Sequence, residues 1–201
     1  MEYVIKKTDS SDIALSSCEW ENANRAEISC VNWSGFPSSP YAYARVLYNE
    51  SGLFVRVDSE EGEVIAEFQN LNDNVFKDSA CEFFFRPDME DRRYLNFEFN
   101  AIGTPLIGLG DNKPRVRLDL KDISIFKIES EITDIGFKVK FFIPYSFMRE
   151  YFDNISDSFM GNFQLCCEKK NPMHFLSHFP IKTEKPDFHR SEFFGKLVFE
   201  R

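Results

Sequence analysis

No stretch of this chain approaches the roughly 20 consecutive apolar residues that a membrane-spanning helix needs, so a membrane partner is not expected. The opening Met1–Asp9 has no basic segment followed by an apolar run. No signal peptide is visible, and a cytoplasmic protein is the expectation if the chain is full length. Positive charge is also in short supply: 24 Lys and Arg stand against 33 Asp and Glu, a formal net charge of −9. Nucleic acid and anionic membrane select for basic patches, which argues against both. Cysteine forms no framework. Cys18, Cys30, Cys81, Cys166 and Cys167 are odd in number and irregular in spacing, so free thiols are expected, with a Cys18–Cys30 bridge as the alternative. Histidine is confined to His174, His178 and His189. His174 and His178 fall in an extended-looking segment, where i, i+4 spacing puts them about 13 Å apart and too distant to share a metal ion. Tryptophan occurs only at positions 20 and 33, each read as a core anchor that has the alternative of stacking on a sugar ring.

Phenylalanine is what the chain has in quantity. Its 23 Phe in 201 residues supply a core that needs neither disulfide nor metal. Short strand-like runs bounded by turn residues dominate. Tyr41–Tyr48 and Leu53–Val57 flank the turn Asn49–Gly52 as a hairpin. Cys81–Arg86, Tyr94–Asn100, Arg115–Leu118, Ser124–Ser130, Gly136–Ile143, Asn162–Cys167 and Lys196–Phe199 continue the series. Helix is confined to a short connector over Pro144–Phe152, with Pro144 in the first turn. The expectation is an all-β chain: one domain over 1–201, a single antiparallel β-sandwich of the immunoglobulin or jelly-roll kind.

The segment Tyr94–Asn100 alternates strictly. As a strand it puts Leu95, Phe97 and Phe99 on one face and Tyr94, Asn96, Glu98 and Asn100 on the other. Asn and Glu are poor strand formers, and a row of amide, carboxylate and amide can both donate and accept in a fixed array. In the strand before it, Cys81, Phe83 and Phe85 share a face opposite Glu82, Phe84 and Arg86. Matching the apolar faces in an antiparallel pair with Arg86 opposite Tyr94 sets Glu82 across from Glu98, a repulsive arrangement. A two-residue slip removes the clash; otherwise Arg86, a cation or a ligand offsets it. Such a cluster suits sugar hydroxyls; a surface salt-bridge patch is the plain alternative. Paired carboxylates also raise a glycosidase reading on Glu82 and Glu98. The acidic stretches Asp58–Glu63 and Asn70–Asn74 offer oxygen ligands for Ca2+, without matching an EF-hand. Cys81 is read as a core residue.

The order of Glu82-Phe83-Phe84, the Asn100-Ala101-Ile102-Gly103 strand end, Phe142-Ile143-Pro144 and the tail Pro186-Asp187-Phe188-His189 resembles carbohydrate-binding module family 9-like proteins, a fold related to DOMON domains. The resemblance runs from about Trp20 to Phe199. It implies a non-catalytic β-sandwich that grips a mono- or oligosaccharide between aromatic planes, with structural calcium in some members and a place in polysaccharide metabolism. Carried over by position, Phe76 supplies one plane, and Glu82 with Asn96, Glu98 and Asn100 the polar grip. The second plane falls in the late loop, where many relatives have Trp after Ser177; here His178 stands there, with Phe175 and Phe179 beside it. His189 is read as a hydrogen-bonded turn residue. The rival readings are a glycoside hydrolase or accessory protein using Glu82 and Glu98, a DOMON-like haem binder, and a structural or protein-interaction domain whose sugar site has decayed.

Overall fold

The computed structural model describes residues 2–111 and 115–200. In chain order the strands are β1 (Glu2–Lys7), β2 (Arg25–Glu27), β3 (Cys30–Val31), β4 (Tyr41–Tyr48), β5 (Gly52–Glu60), β6 (Ala80–Arg86) and β7 (Tyr94–Asn100). They continue with β8 (Pro105–Gly110), β9 (Arg115–Arg117), β10 (Glu129–Thr133), β11 (Gly136–Pro144), β12 (Ser158–Cys167), β13 (His174–Ser177) and β14 (Gly195–Phe199). The described helix is α1 (Tyr145–Met148), capped by Pro144. Hydrogen-bonded neighbours run β10-β11-β5-β4-β1-β14-β12-β6-β7-β8-β9, with β13 beside β12 and β3 beside β13. The two halves of this path fold onto one another as a sandwich. The strand β1 joins them: Glu2–Ile5 pair with β14 and Lys6–Lys7 with β4, both in parallel.

Alternation in the sequence places the inner faces as expected. Cys81, Phe83, Phe85, Leu95, Phe97 and Phe99 meet Val46, Val55, Val57, Val139 and Phe141 from the opposite layer in one buried cluster. Phe97 stands at its centre. Its ring stacks 6.0 Å from Phe141 and 6.1 Å from Phe85, and it meets Phe126 and Phe147 edge-on at 5.4 and 6.0 Å.

Several expectations are corrected. The sandwich is mixed rather than wholly antiparallel, because β1 runs parallel to both neighbours. Ser124–Phe126 is a 3-10 turn followed by Lys127 in the left-handed region at φ 44°, so strand pairing starts only at Glu129. The connector helix stops at Met148. Pro105–Gly110, which Pro and two Gly disguise, is a full strand paired with β7. Asp58–Glu60 is the end of β5 rather than a loop. The five cysteines, by contrast, are all free, as expected.

The largest difference concerns the polar face of β6 and β7, which is not solvated. A second aromatic layer lies on it: Trp33, Phe84, Tyr94, Phe175, Ile181, Phe188 and Phe194 form a separate buried cluster. Strand β7 is therefore buried along its whole length. Truncating Phe97 to Ala is expected to cost about 3–5 kcal/mol of folding stability. Urea unfolding reads this directly, and a loss under about 1 kcal/mol would contradict the central place given to that ring.

Candidate functional site

The register of β6 against β7 sets Glu82 opposite Glu98 and Phe84 opposite Asn96. This is the unslipped pairing. Between the sheet and the aromatic layer above it two adjoining hollows open, of about 230 and 210 Å³. They share Phe76, Glu98, Arg115 and His189. The first is also lined by Glu82, Cys166, Glu168, Phe175, Asp187 and Phe188 among others, and the second by Asn96, Leu106, Gly108 and Arg117 among others. Together they sit at the small end of the roughly 300–1,000 Å³ range usual for small-ligand sites.

Local sequence explains each placement. Asn74 precedes a single 3-10 turn, Val75–Lys77, which lifts Phe76 over the sheet. The carbonyl of Phe76 shares the single hydrogen of the Cys166 thiol with Glu82 Oε1, each at 3.3 Å, which ties that turn to β12. Asn96 lies flat against Gly108 on β8: a Cβ there would come 2.4 Å from Asn96 Oδ1, so only glycine leaves room for the amide. The tail segment is bent by Asp187, whose Oδ1 accepts from the His189 amide at 3.0 Å. His189 then stacks on Phe84 at 4.6 Å and pairs through Nδ1 with the Tyr94 hydroxyl at 2.8 Å.

The polar atoms are deeply placed. Glu82, Asn96 and Glu98 are 3, 3 and 2 % exposed. Glu82 Oε1 accepts from the Cys166 thiol at 3.3 Å, and Glu98 Oε1 accepts from Asn96 Nδ2 at 2.9 Å. Among the described residues, Asn96 Oδ1 and Glu98 Oε2 are buried without a hydrogen-bond partner. Burial pushes Glu98 up to about 7, despite the opposing hydrogen bond from Asn96 and the charges of Arg117 and Arg115. Burial and the nearby Glu98 charge push Glu82 well above the ordinary carboxylate range. Burial, helped by Arg115, lowers His189 to about 3, so its imidazole is neutral. Burial also raises Tyr94, against the charge and hydrogen bond of Arg115. A guanidinium can only donate, so Tyr94 accepts from Arg115, and its own hydrogen is available to His189 Nδ1 at 2.8 Å. In that tautomer the His189 proton sits on Nε2, which lies 4.0 Å from Glu98 Oε1. That gap is too long for a direct hydrogen bond and fits a hydroxyl that accepts from His189 and donates to Glu98.

Phe76, Glu82, Asn96, Glu98 and Phe175 thus come together around the cavity. Three other candidates do not. Arg86 stands beside Met160 on the next strand, four residues along from Glu82, and its charge acts on Asp91. Asn100 is spent on the chain: Nδ2 donates to Phe68 O and Asp78 Oδ2 at 2.8 and 3.0 Å, and Oδ1 accepts from the Thr104 amide at 2.9 Å. The Asn100–Gly103 motif is therefore a turn, with Gly103 at φ 80°. His178 pairs with the Glu27 carbonyl at 2.8 Å and packs on Tyr3, Phe163 and Phe179, away from the cavity. Sequence reasoning missed His189 and Phe188 as lining residues, although their tail motif was visible; Arg115 lay in a recognised strand with nothing to mark its direction.

The acidic stretches are committed elsewhere. Arg56 clasps Asp58 through two bonds of 2.8 and 2.6 Å. Lys170 meets Glu61 at 3.1 Å, and Asp73 accepts from the Asn70 amide at 2.9 Å. Among the described residues no group of three or more His, Cys, Asp or Glu is arranged to hold a metal ion.

The carboxylate pair makes stability fall with rising pH. Both folded values lie above the ordinary 4.5, so their stabilisation is complete below about pH 4.5 and is lost as pH climbs through about 7 and beyond. His178 and His189 are lowered from 6.5, so their own contribution rises with pH only up to about 6.5. Between pH 6.5 and 8.5 the melting temperature is expected to fall, and Glu82→Gln to flatten that fall. Thermal unfolding at several pH values checks it; equal slopes in both proteins would contradict the assignment.

Comparison with known proteins agrees with this architecture. The profile of carbohydrate-binding family 9 matches residues 12–199. A Bacteroides uniformis protein, described as a candidate carbohydrate-binding protein, superposes with a TM-score of 0.86 at 28 % identity, covering 99 % of each chain. A family 9 carbohydrate-binding module from Caldicellulosiruptor kristjanssonii in complex with cellotriose superposes with a TM-score of 0.69 at 11 % identity, over 100 % of this chain and 94 % of that one. The structure of a family 9 module from the same organism in complex with glucose gives 0.68 at 13 % identity, over 100 and 96 % of the two chains. A search of curated proteins gives no match. The match spans nearly the whole sequence, and the chain belongs to carbohydrate-binding family 9.

Proposed function

We propose that this protein binds a mono- or oligosaccharide without catalysing its cleavage, seating one sugar ring in the cavity over β6 and β7. The observation that carries the site assignment is the pair of buried, partnerless acceptors, Asn96 Oδ1 and Glu98 Oε2, on residues that line it. An unpaired buried polar group costs roughly 1–3 kcal/mol, a penalty that a ligand hydrogen-bonding to it removes. Glu82, Glu98 and Asn96 serve as acceptors, His189 Nε2 and Arg115 as donors, and Phe76, Phe175 and Phe188 as apolar walls for the ring faces. Phe offers less stacking surface than Trp, which favours a grip dominated by hydrogen bonds over one dominated by stacking.

The non-catalytic reading rests on the family, since the matched profile is that of carbohydrate-binding family 9, and on the structural neighbours that carry cellotriose and glucose. Calcium has no required part in this reading, because the oxygens of the acidic stretches already answer to Arg56, Lys170 and backbone amides.

Calorimetric titration with glucose and cellotriose, the sugars carried by the two structural neighbours, is the first measurement. Asn96→Ala and His189→Ala are each expected to weaken binding about tenfold or more, while His178→Ala and added chelator leave it unchanged. Binding that survives in Asn96→Ala and His189→Ala but vanishes in His178→Ala would move the site to the late loop.

A further inference from the structure

Among the described residues, carboxylates outnumber cationic side chains in the wall of this cavity. Glu82 and Glu98 face each other across paired strands, and Glu168 and Asp187 add two more carboxylates to the same hollow. Asn96 Oδ1 and Glu98 Oε2 have no donor among the described residues. On the carboxylates themselves the donors are the weak Cys166 thiol at Glu82 Oε1 and Asn96 Nδ2 at Glu98 Oε1, while His189 Nε2 stands 4.0 Å from Glu98 Oε1. Arg115 and Arg117 bring positive charge to the Glu98 side, and His189 is neutral. Burial nonetheless outweighs those arginines at Glu98.

A sugar hydroxyl brings one hydrogen and two lone pairs, so each hydroxyl adds acceptors to a wall already lined by Glu82, Glu98, Glu168 and Asp187. A protonated amine brings three hydrogens and no lone pair. It also pairs a buried carboxylate that is otherwise expensive to ionise. Resting on the carbohydrate-binding reading above, we propose that the preferred ligand is an amino sugar with a free amine, its ammonium seated between Glu82 and Glu98 within reach of Asn96 Oδ1. Tyr94 and Cys166 stay neutral beside it, since burial raises both. The ammonium stabilises the ionised form of both carboxylates, so the proton that the empty pair holds at neutral pH passes to the buffer on binding.

The test is calorimetric titration of the full chain at pH 6.5 with glucosamine, galactosamine and mannosamine, each beside its N-acetyl and its neutral hexose counterpart. Every titration is run in two buffers of different ionisation enthalpy. At least one free amine is expected to bind about tenfold or more tightly than both counterparts, with a buffer-dependent heat that reports proton release. Glu82→Gln is expected to bring that preference within about twofold. If neutral or acetylated sugars bind as tightly as the amines, or the amines bind without releasing protons, the inference falls and the carbohydrate-binding reading stands. A preference that persists in Glu82→Gln places the ammonium elsewhere and also overturns it. If none of these sugars binds, and glucose and cellotriose also fail, both readings fall. The proton count comes from the unmutated protein, so it decides the matter even if the variant does not fold.

Discussion

Two carboxylates held opposite one another, away from water, are the interaction on which the rest of the site depends. Placing Glu82 against Glu98 on a covered sheet face is costly in itself, because an ionised carboxylate loses its hydration there and gains a like charge beside it. The fold tolerates the pair by leaving it short of ionisation and by supplying partial donors, the Cys166 thiol to one and the Asn96 amide to the other. A pair of well-packed apolar residues would stabilise the same register more. That this family 9 chain carries the polar version is consistent with a surface shaped for a sugar rather than for stability.

The architecture around the pair is asymmetric. Beneath the sheet, phenylalanine rings fill the space between the two layers. Above it, Trp33, Phe175 and Phe188 pack on Phe84 and Tyr94 while stopping short of Glu82, Asn96 and Glu98. The tail segment is anchored on both sides of that gap: Trp33 Nε1 donates to the Thr183 carbonyl at 3.0 Å, and Phe194 packs edge-on against Tyr94 at 5.2 Å. Gly108 completes the arrangement from below, since any side chain there would displace the Asn96 amide. Rigid neighbours therefore fix the direction of each polar atom before a ligand arrives, which limits the ordering cost of binding.

How much of this was legible in the sequence depended on whether the signal was periodic. Strict alternation in Tyr94–Asn100 fixed the inner and outer faces, and matching the apolar faces put Glu82 on the face of Glu98; it left open a slip by two residues, which the observed pairing excludes. The same alternation could not say what covered the outer face. Ile181–Phe194 has no period, and its role follows from long-range packing on β6 and β7. Asn100 sat on the correct face yet at the strand end, where a nearby glycine and an amide side chain close a turn. Position by family placed an aromatic plane at His178, but its hydrogen bond to Glu27 draws that ring under the opposite layer. The strand over Pro105–Gly110 was hidden because its composition reads as a loop; its pairing comes from β7.

The split strand β1 has a mechanical consequence. Glu2–Ile5 lie alongside Lys196–Phe199 in parallel register, so the free end of β1 and the free end of β14 leave the domain in opposite directions. Tension applied between those two ends pulls the paired strands past each other. Every β1–β14 hydrogen bond is then loaded at once, in shear, instead of being opened singly from one end. Phe159 on β12 sits across from Leu197 on the far side of β14, so sliding β14 also drags against the phenylalanine core. A domain built this way resists extension along its own chain most strongly at the seam where its two sheets are joined.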